Sequence, residues 1–279
     1  MKETLMRRKA FTLIELLVVV SIIALLIAIL LPSLSKAREV AKNAVCMTHQ
    51  RQLGLALTMY ANSYRDRMFP YWKDGGTSDG GLWREHFWMT VLEPFYLDKK
   101  VMLCPSAPVD YERQWNYTTD MPQPYTGWGT VDVAWGLPEP TNPATKSFLP
   151  GYDGSFTWNS WMHGGRNYSV GTSNAEDDRR HYKQFSAVKH ADSTPLWTDG
   201  TWVDMWFRNQ PGAVSWPPTR LTGTNGTGRI CIDRHQYAIN AVFADGGARR
   251  VELPDLWRLY WNTDSVPMDP PTQLPPPLD

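Results

Sequence analysis

The sequence predicts an α+β protein in which one long N-terminal helix carries a loop-rich head of short strands. Three observations predict it. Residues 11–31 read FTLIELLVVVSIIALLIAILL, an apolar run interrupted only by Thr12, Glu15 and Ser21. Residues 33–64 then have helix-forming composition, with no proline and only Gly54 as a weak point. Beyond residue 68, short aromatic runs are broken by Gly, Pro, Asn and Asp, and two Asp-Gly pairs are flanked by strand-forming residues.

The chain begins with a basic stretch. Residues 1–10 hold Lys2, Arg7, Arg8 and Lys9 against Glu3 alone. The whole chain of 279 residues balances 28 Lys and Arg against 28 Asp and Glu, so no charge excess points to nucleic acid or a polyanionic substrate. Losing those ten residues would remove four bases and one acid, taking the formal charge from 0 to −3. The apolar run that follows is long enough, at about 1.5 Å per residue, to cross the roughly 30 Å of a bilayer core. Basic residues immediately before it place the N-terminus in the cytoplasm and the head outside. An ordinary cleaved signal peptide is the plainer alternative, with Ser35-Lys36-Ala37 as a small-x-small site. Against it, the run exceeds the roughly 7–15 residues of a signal h-region. It also carries an acid near its cytoplasmic end, and a carboxylate there is costly enough to require a partner or an interfacial position.

The stretch Arg8-Lys9-Ala10-Phe11-Thr12-Leu13-Ile14-Glu15 closely resembles the processing motif of type IV pilins and type II secretion pseudopilins. The resemblance implies an aspartyl prepilin peptidase that cuts between Ala10 and Phe11 and N-methylates Phe11. Ala10 stands where the family usually has Gly, and both are small enough for a narrow scissile site. The resemblance also assigns assembly to the fifth mature residue, here Glu15, whose carboxylate would pair with the N-terminal ammonium of a neighbouring subunit. Pro32 matches a position where pilin helices commonly bend, since proline removes one backbone hydrogen bond. The implied organisation is a cytoplasmic leader (1–10), a transmembrane and assembly helix (11–31) and an extension of that spine helix (32–66). An extracytoplasmic head (67–262) and a Pro-rich tail (263–279) follow. The implied fold is pilin-like, with the distal half of the helix packed on a small antiparallel sheet with long loops.

Along the extension, Leu34, Ala37, Ala41, Ala44, Thr48, Leu55 and Met59 recur at helical spacing and form the expected packing stripe. Arg38, Glu39, Lys42, Arg51 and Gln52 fall elsewhere, as on a solvated face. In the head, 14 Trp, 12 Tyr and 22 Pro indicate a rigid, aromatic-packed unit. Residues 195–203 (PLWTDGTWV) and 242–251 (VFADGGARRV) each read as strand, Asp-Gly turn, strand. Trp257, Tyr260 and Trp261 read as a short closing helix.

His235 lies nine residues before Asp245-Gly246, and this spacing resembles the H-x9-DG element found near the C-terminus of many pilin-like proteins. That element has no role that the residues define. His235 and Asp245 invite an acid–base or metal reading, weighed against a packed histidine and an Asp that makes its turn. No catalytic or phosphate-binding motif is present. No cofactor is expected. A loop calcium would draw on Asp177, Asp178, Asp192, Asp199 or Asp233, but no spacing selects a site and the metal content is left open. Cys46, Cys104 and Cys231 form no C-x-x-C, and as disulfide partners they leave three pairings open.

The sequence therefore predicts a non-enzymatic pilin-like or pseudopilin subunit of the bacterial inner membrane. Its partners would be prepilin peptidase, other pilin or pseudopilin subunits, the secretion or pilus assembly machinery and the membrane, with no nucleic acid. The main alternative is a membrane-anchored envelope protein that binds glycans through its aromatics and does not polymerise. A signal-anchored hydrolase around His235 and Asp245 is the third.

Overall fold

The computed structural model describes residues 13–70, 87–109, 129–137, 152–164, 179–207, 227–230 and 232–270. One helix, α1 (Leu13–Ser63, 51 residues), runs from the apolar run into the head. The chain divides into two units, residues 1–41 and 42–279.

In the first unit α1 carries a long apolar stretch. Its 18-residue window of mean hydropathy 3.2 is 0% buried, and side chains from Leu13 through Leu34 stand exposed. Pro32 lies inside the helix and does not end it. Ser21 and Ser33 hydroxyls turn back to the carbonyls of Val18 and Leu30, at 2.8 Å each, which hides their polarity from an apolar surrounding. Length and composition suit a membrane span.

The second unit is built on a five-stranded sheet. Its strands are β3 (Phe156–Asn159), β4 (Pro195–Asp199), β5 (Asp204–Met205), β6 (Ala238–Phe243) and β7 (Ala248–Glu252), in the order β5-β3-β4-β6-β7. Pairings are antiparallel except β3 with β5, which is parallel. A separate antiparallel pair joins β1 (Trp135–Leu137) and β2 (Tyr152–Gly154), and a short helix α2 (Trp88–Leu92) packs nearby. Strands β3, β4 and β6 are buried throughout, so the sheet is covered on both faces. Alternation along β6 shows how: Ile239, Ala241 and Phe243 join a core with Trp161, Phe207, Trp257 and Trp261, while Val242 joins the opposite core with Cys46, Leu53, Leu57, Trp158 and Trp197. Seven tryptophans, Trp88, Trp135, Trp158, Trp161, Trp197, Trp257 and Trp261, are fully buried, which makes them core and not a sugar-stacking surface.

The head corrects the expected helix stripe. Residues of α1 that face the core are Cys46, Gln50, Leu53, Gly54, Ala56, Leu57, Tyr60 and Ala61, whereas Ala44, Thr48, Leu55 and Met59 are exposed. Both sets have helical spacing. The buried set is disguised by Gln50, whose amide donates to the Asn240 carbonyl at 3.1 Å, and by Gly54, against which Val242 sits so closely that an added Cβ would lie 3.0 Å away.

The two Asp-Gly pairs also differ. Asp245-Gly246 joins β6 to β7 as expected, with Gly246 at φ +82° and its N–H bonded to the Phe243 carbonyl at 2.9 Å. Only the glycine takes positive φ, so the loop is longer than a two-residue type I′ turn. Asp199-Gly200 makes no hairpin, because β3 and β6 already flank β4 and β5 pairs beyond β3. Gly200 is instead a close approach: a Cβ there would fall 1.7 Å from Thr157 Oγ1. The closing segment is 3-10 helical over Leu253–Arg258, with Trp257 and Trp261 buried.

Candidate functional site

The predicted site residues fall into two groups. Ala10 and Phe11 lie outside the described residues, and Glu15 is an exposed acid in the first turn of α1. There the carboxylate stands at the positive end of the helix dipole.

The second group gathers in the head interior. Cys46 is the first core-facing residue of α1 in this unit. Cys104 follows the 3-10 turn Lys99–Met102, and its carbonyl accepts from Ala107 N–H at 2.9 Å, which fixes the turn through Pro105. Asp199 ends β4, and His235 lies in the loop before β6. All four side chains are buried, and one ligand atom from each lies within 4.8 Å of the others. Cys46 Sγ is 3.5 Å from Asp199 Oδ1, Cys104 Sγ is 3.6 Å from His235 Nε2, and the same Nε2 is 3.2 Å from Asp199 Oδ2. Cys46 and Cys104 are free thiols, and Cys231 lies outside the described residues.

The surrounding shell holds these groups in place. Asn240 N–H donates to Asp199 Oδ2 at 2.6 Å. Arg234, with a fully buried side chain, lies 3.5 Å from Asp199 Oδ1. It also donates to the carbonyls of Thr130, Val131, Ser155 and Gly200, so its charge is anchored on every side. His235 is held by its own N–H on the Ala238 carbonyl and by Arg250 on the His235 carbonyl, at 3.0 and 3.2 Å. Gln236 and Tyr237 follow at φ 57° and 59°. Two successive non-glycine residues in the left-handed region cost about 1–3 kcal/mol each, and such strain gathers where a neighbouring side chain must be aimed.

The electrostatics are strongly coupled. Burial opposes charge on Asp199, yet His235, Arg234 and the Asn240 N–H hold its pKa below the ordinary value. Burial likewise opposes charge on His235, and the Asp199 carboxylate with Cys104 outweighs it, raising the imidazole to about 9. The Cys46 thiol is pushed well up by desolvation. Hydrogen bonding from Cys46, then His235, lowers Cys104 to about 6.

The structure thus separates His235 from Asp245. Asp245 is exposed and its Oδ1 accepts from Gly247 N–H at 2.8 Å, which is turn chemistry. The partner of His235 is Asp199, and Arg234 completes the charge balance. Neither role was legible from spacing, because the four buried groups sit 46, 104, 199 and 235 residues along the chain on four different elements. A Cys–His–Asp catalytic relay is also not formed: such a relay uses one ring nitrogen for the nucleophile and the other for the carboxylate, whereas here Nε2 faces both.

Against known families, residues 5–31 match the prokaryotic N-terminal methylation motif, and residues 35–99 match a family described as a protein of unknown function, DUF1559. No curated protein and no solved structure matches the chain.

Proposed function

We propose that this membrane-anchored, pilin-like chain, in which a prepilin-type N-terminal motif is joined to a DUF1559 segment as is usual in type II secretion pseudopilin-like proteins, works as a structural subunit of a filament. The motif implies processing by prepilin peptidase; extraction into a filament is the further step. One observation carries that step: the membrane-length stretch of α1 is apolar all round and none of it is buried among the described residues, whereas the second unit carries its own core. An all-apolar helix needs lipid or other helices around it. A bilayer stores the subunit, and neighbouring copies replace lipid in the filament.

The head side of α1 supports the same reading. Val45, Leu55 and Met59 share one face at helical spacing and are exposed, with Thr48 and Gln52 between them. A stripe of apolar and small uncharged side chains suits packing against the spine of an adjacent subunit. Arg7, Arg8 and Lys9 favour an inner-membrane orientation with the N-terminus cytoplasmic and the head outside. Glu15 sets register by pairing with the Phe11 ammonium of a neighbour, a device in which a buried charge fixes geometry. Its replacement tests the assignment: Glu15→Leu is expected to leave membrane retention intact and to lower recovery in sheared filaments sharply. Equal recovery of variant and parent would sink the register role.

A further inference from the structure

We propose that Cys46, Cys104, Asp199 and His235 bind one Zn²⁺ ion as a structural site that staples the head. In a tetrahedral zinc site with bonds of about 2.3 Å to sulfur and about 2.0–2.1 Å to nitrogen or oxygen, ligand atoms lie about 3.3–3.8 Å apart. The short contacts here, sulfur to oxygen at 3.5 Å and sulfur to nitrogen at 3.6 Å, already have that spacing, and nitrogen to oxygen at 3.2 Å lies just under it. They come from four elements, with one ligand atom of each within 4.8 Å of the others; Asp199 turns Oδ1 to Cys46 and Oδ2 to His235, and His235 Nε2 faces both the Cys104 thiol and the carboxylate, as a ligand nitrogen directed at a common centre does.

Chemistry selects the ion. Two thiolates and an imidazole suit zinc, while calcium and magnesium take oxygen donors. Four protein ligands leave no open position, which marks a structural and not a catalytic site. Charge is consistent as well. Two thiolates and a carboxylate carry three negative charges, and a divalent cation with the Arg234 guanidinium neutralises them inside the head. Outer contacts are of the kind that orient ligands, with Asp199 held by Asn240 N–H and Arg234. The site lies wholly within the second unit, where it ties α1 to the end of β4 and to the loops carrying Cys104 and His235. It gives the His235 of the H-x9-DG element a task, with Asp245-Gly246 only returning the chain. None of this depends on filament assembly.

The test uses the full-length chain without a histidine tag, purified in detergent, with metal content read by mass spectrometry and zinc exchanged for cobalt. About one zinc per chain is expected. The cobalt form should show thiolate-to-cobalt charge transfer together with the visible bands of tetrahedral cobalt. Asp199→Asn and Cys104→Ser should weaken zinc retention by at least about tenfold, since losing even an outer-shell partner costs that much. Tryptophan fluorescence reports whether each variant is folded, and the cobalt spectrum of the unmodified chain stands without them. A chain that keeps no zinc after dialysis against it, that carries a Cys46–Cys104 disulfide, or whose cobalt form lacks the thiolate band overturns the proposal.

Discussion

The two units of this chain spend the same kind of residue in opposite ways. In residues 13–41 the large aliphatic side chains are exposed among the described residues. In the head, the large aromatics face inward across both sides of one sheet, and the buried Arg234 is matched by backbone carbonyls and the Asp199 carboxylate. The difference separates where each unit obtains its stability: the second from its own core, the first, on the proposed function, from lipid or other copies. Substitutions should therefore act on one unit without the other.

The largest effect is expected in the head. Trp158 packs against Phe69 and Trp197, with ring centroids 5.2 and 4.4 Å apart, and is fully buried. Trp158→Ala should cost about 3–5 kcal/mol in urea unfolding of the full chain and leave membrane retention unchanged. Equal loss of both would break the separation. Next in size, Val19→Arg should cost about 2.5–3.5 kcal/mol in an insertion-reporter assay. The unfolding midpoint of the head should not move with it; a moved midpoint with unchanged insertion would contradict the comparison.

The smallest effect per step of the variable is a pH slope confined to the head. His163 is buried beside Phe69 and Trp158, its Nδ1 2.8 Å from the Ser160 carbonyl. Burial, with a smaller contribution from His181, depresses its pKa to about 3. A histidine depressed in the folded state is protonated first in the unfolded chain. The head should then lose stability as pH falls from about 6.5 towards about 3, at up to about 1.4 kcal/mol per unit from this residue. His163→Gln should flatten that slope in urea titrations, and an unchanged slope would assign it to other groups.

The same contrast explains what the sequence made legible. The apolar run is a local signal, so α1 and its membrane character follow from composition alone. The β6–β7 hairpin is local too, because Gly246 must adopt positive φ where the chain reverses. The buried face of the head half of α1 was not legible. Gln50 and Gly54 interrupt it for reasons that lie on β6, where Asn240 accepts the amide and Val242 fills the space a side chain would need. Asp199-Gly200 looked like a second hairpin, yet the glycine there admits Thr157 from another strand. The buried cluster was hidden for the same reason: Cys46, Cys104, Asp199 and His235 acquire a relation only when four elements meet.

The central claim is that the apolar unit is completed by other copies of the chain. Its most direct test is the N-terminal peptide mass of the protein in sheared filaments from cells expressing prepilin peptidase. The expected result is a chain in the filament fraction that begins at N-methylated Phe11. A processed chain confined to the membrane fraction, or a filament chain that still begins at Met1, would contradict it.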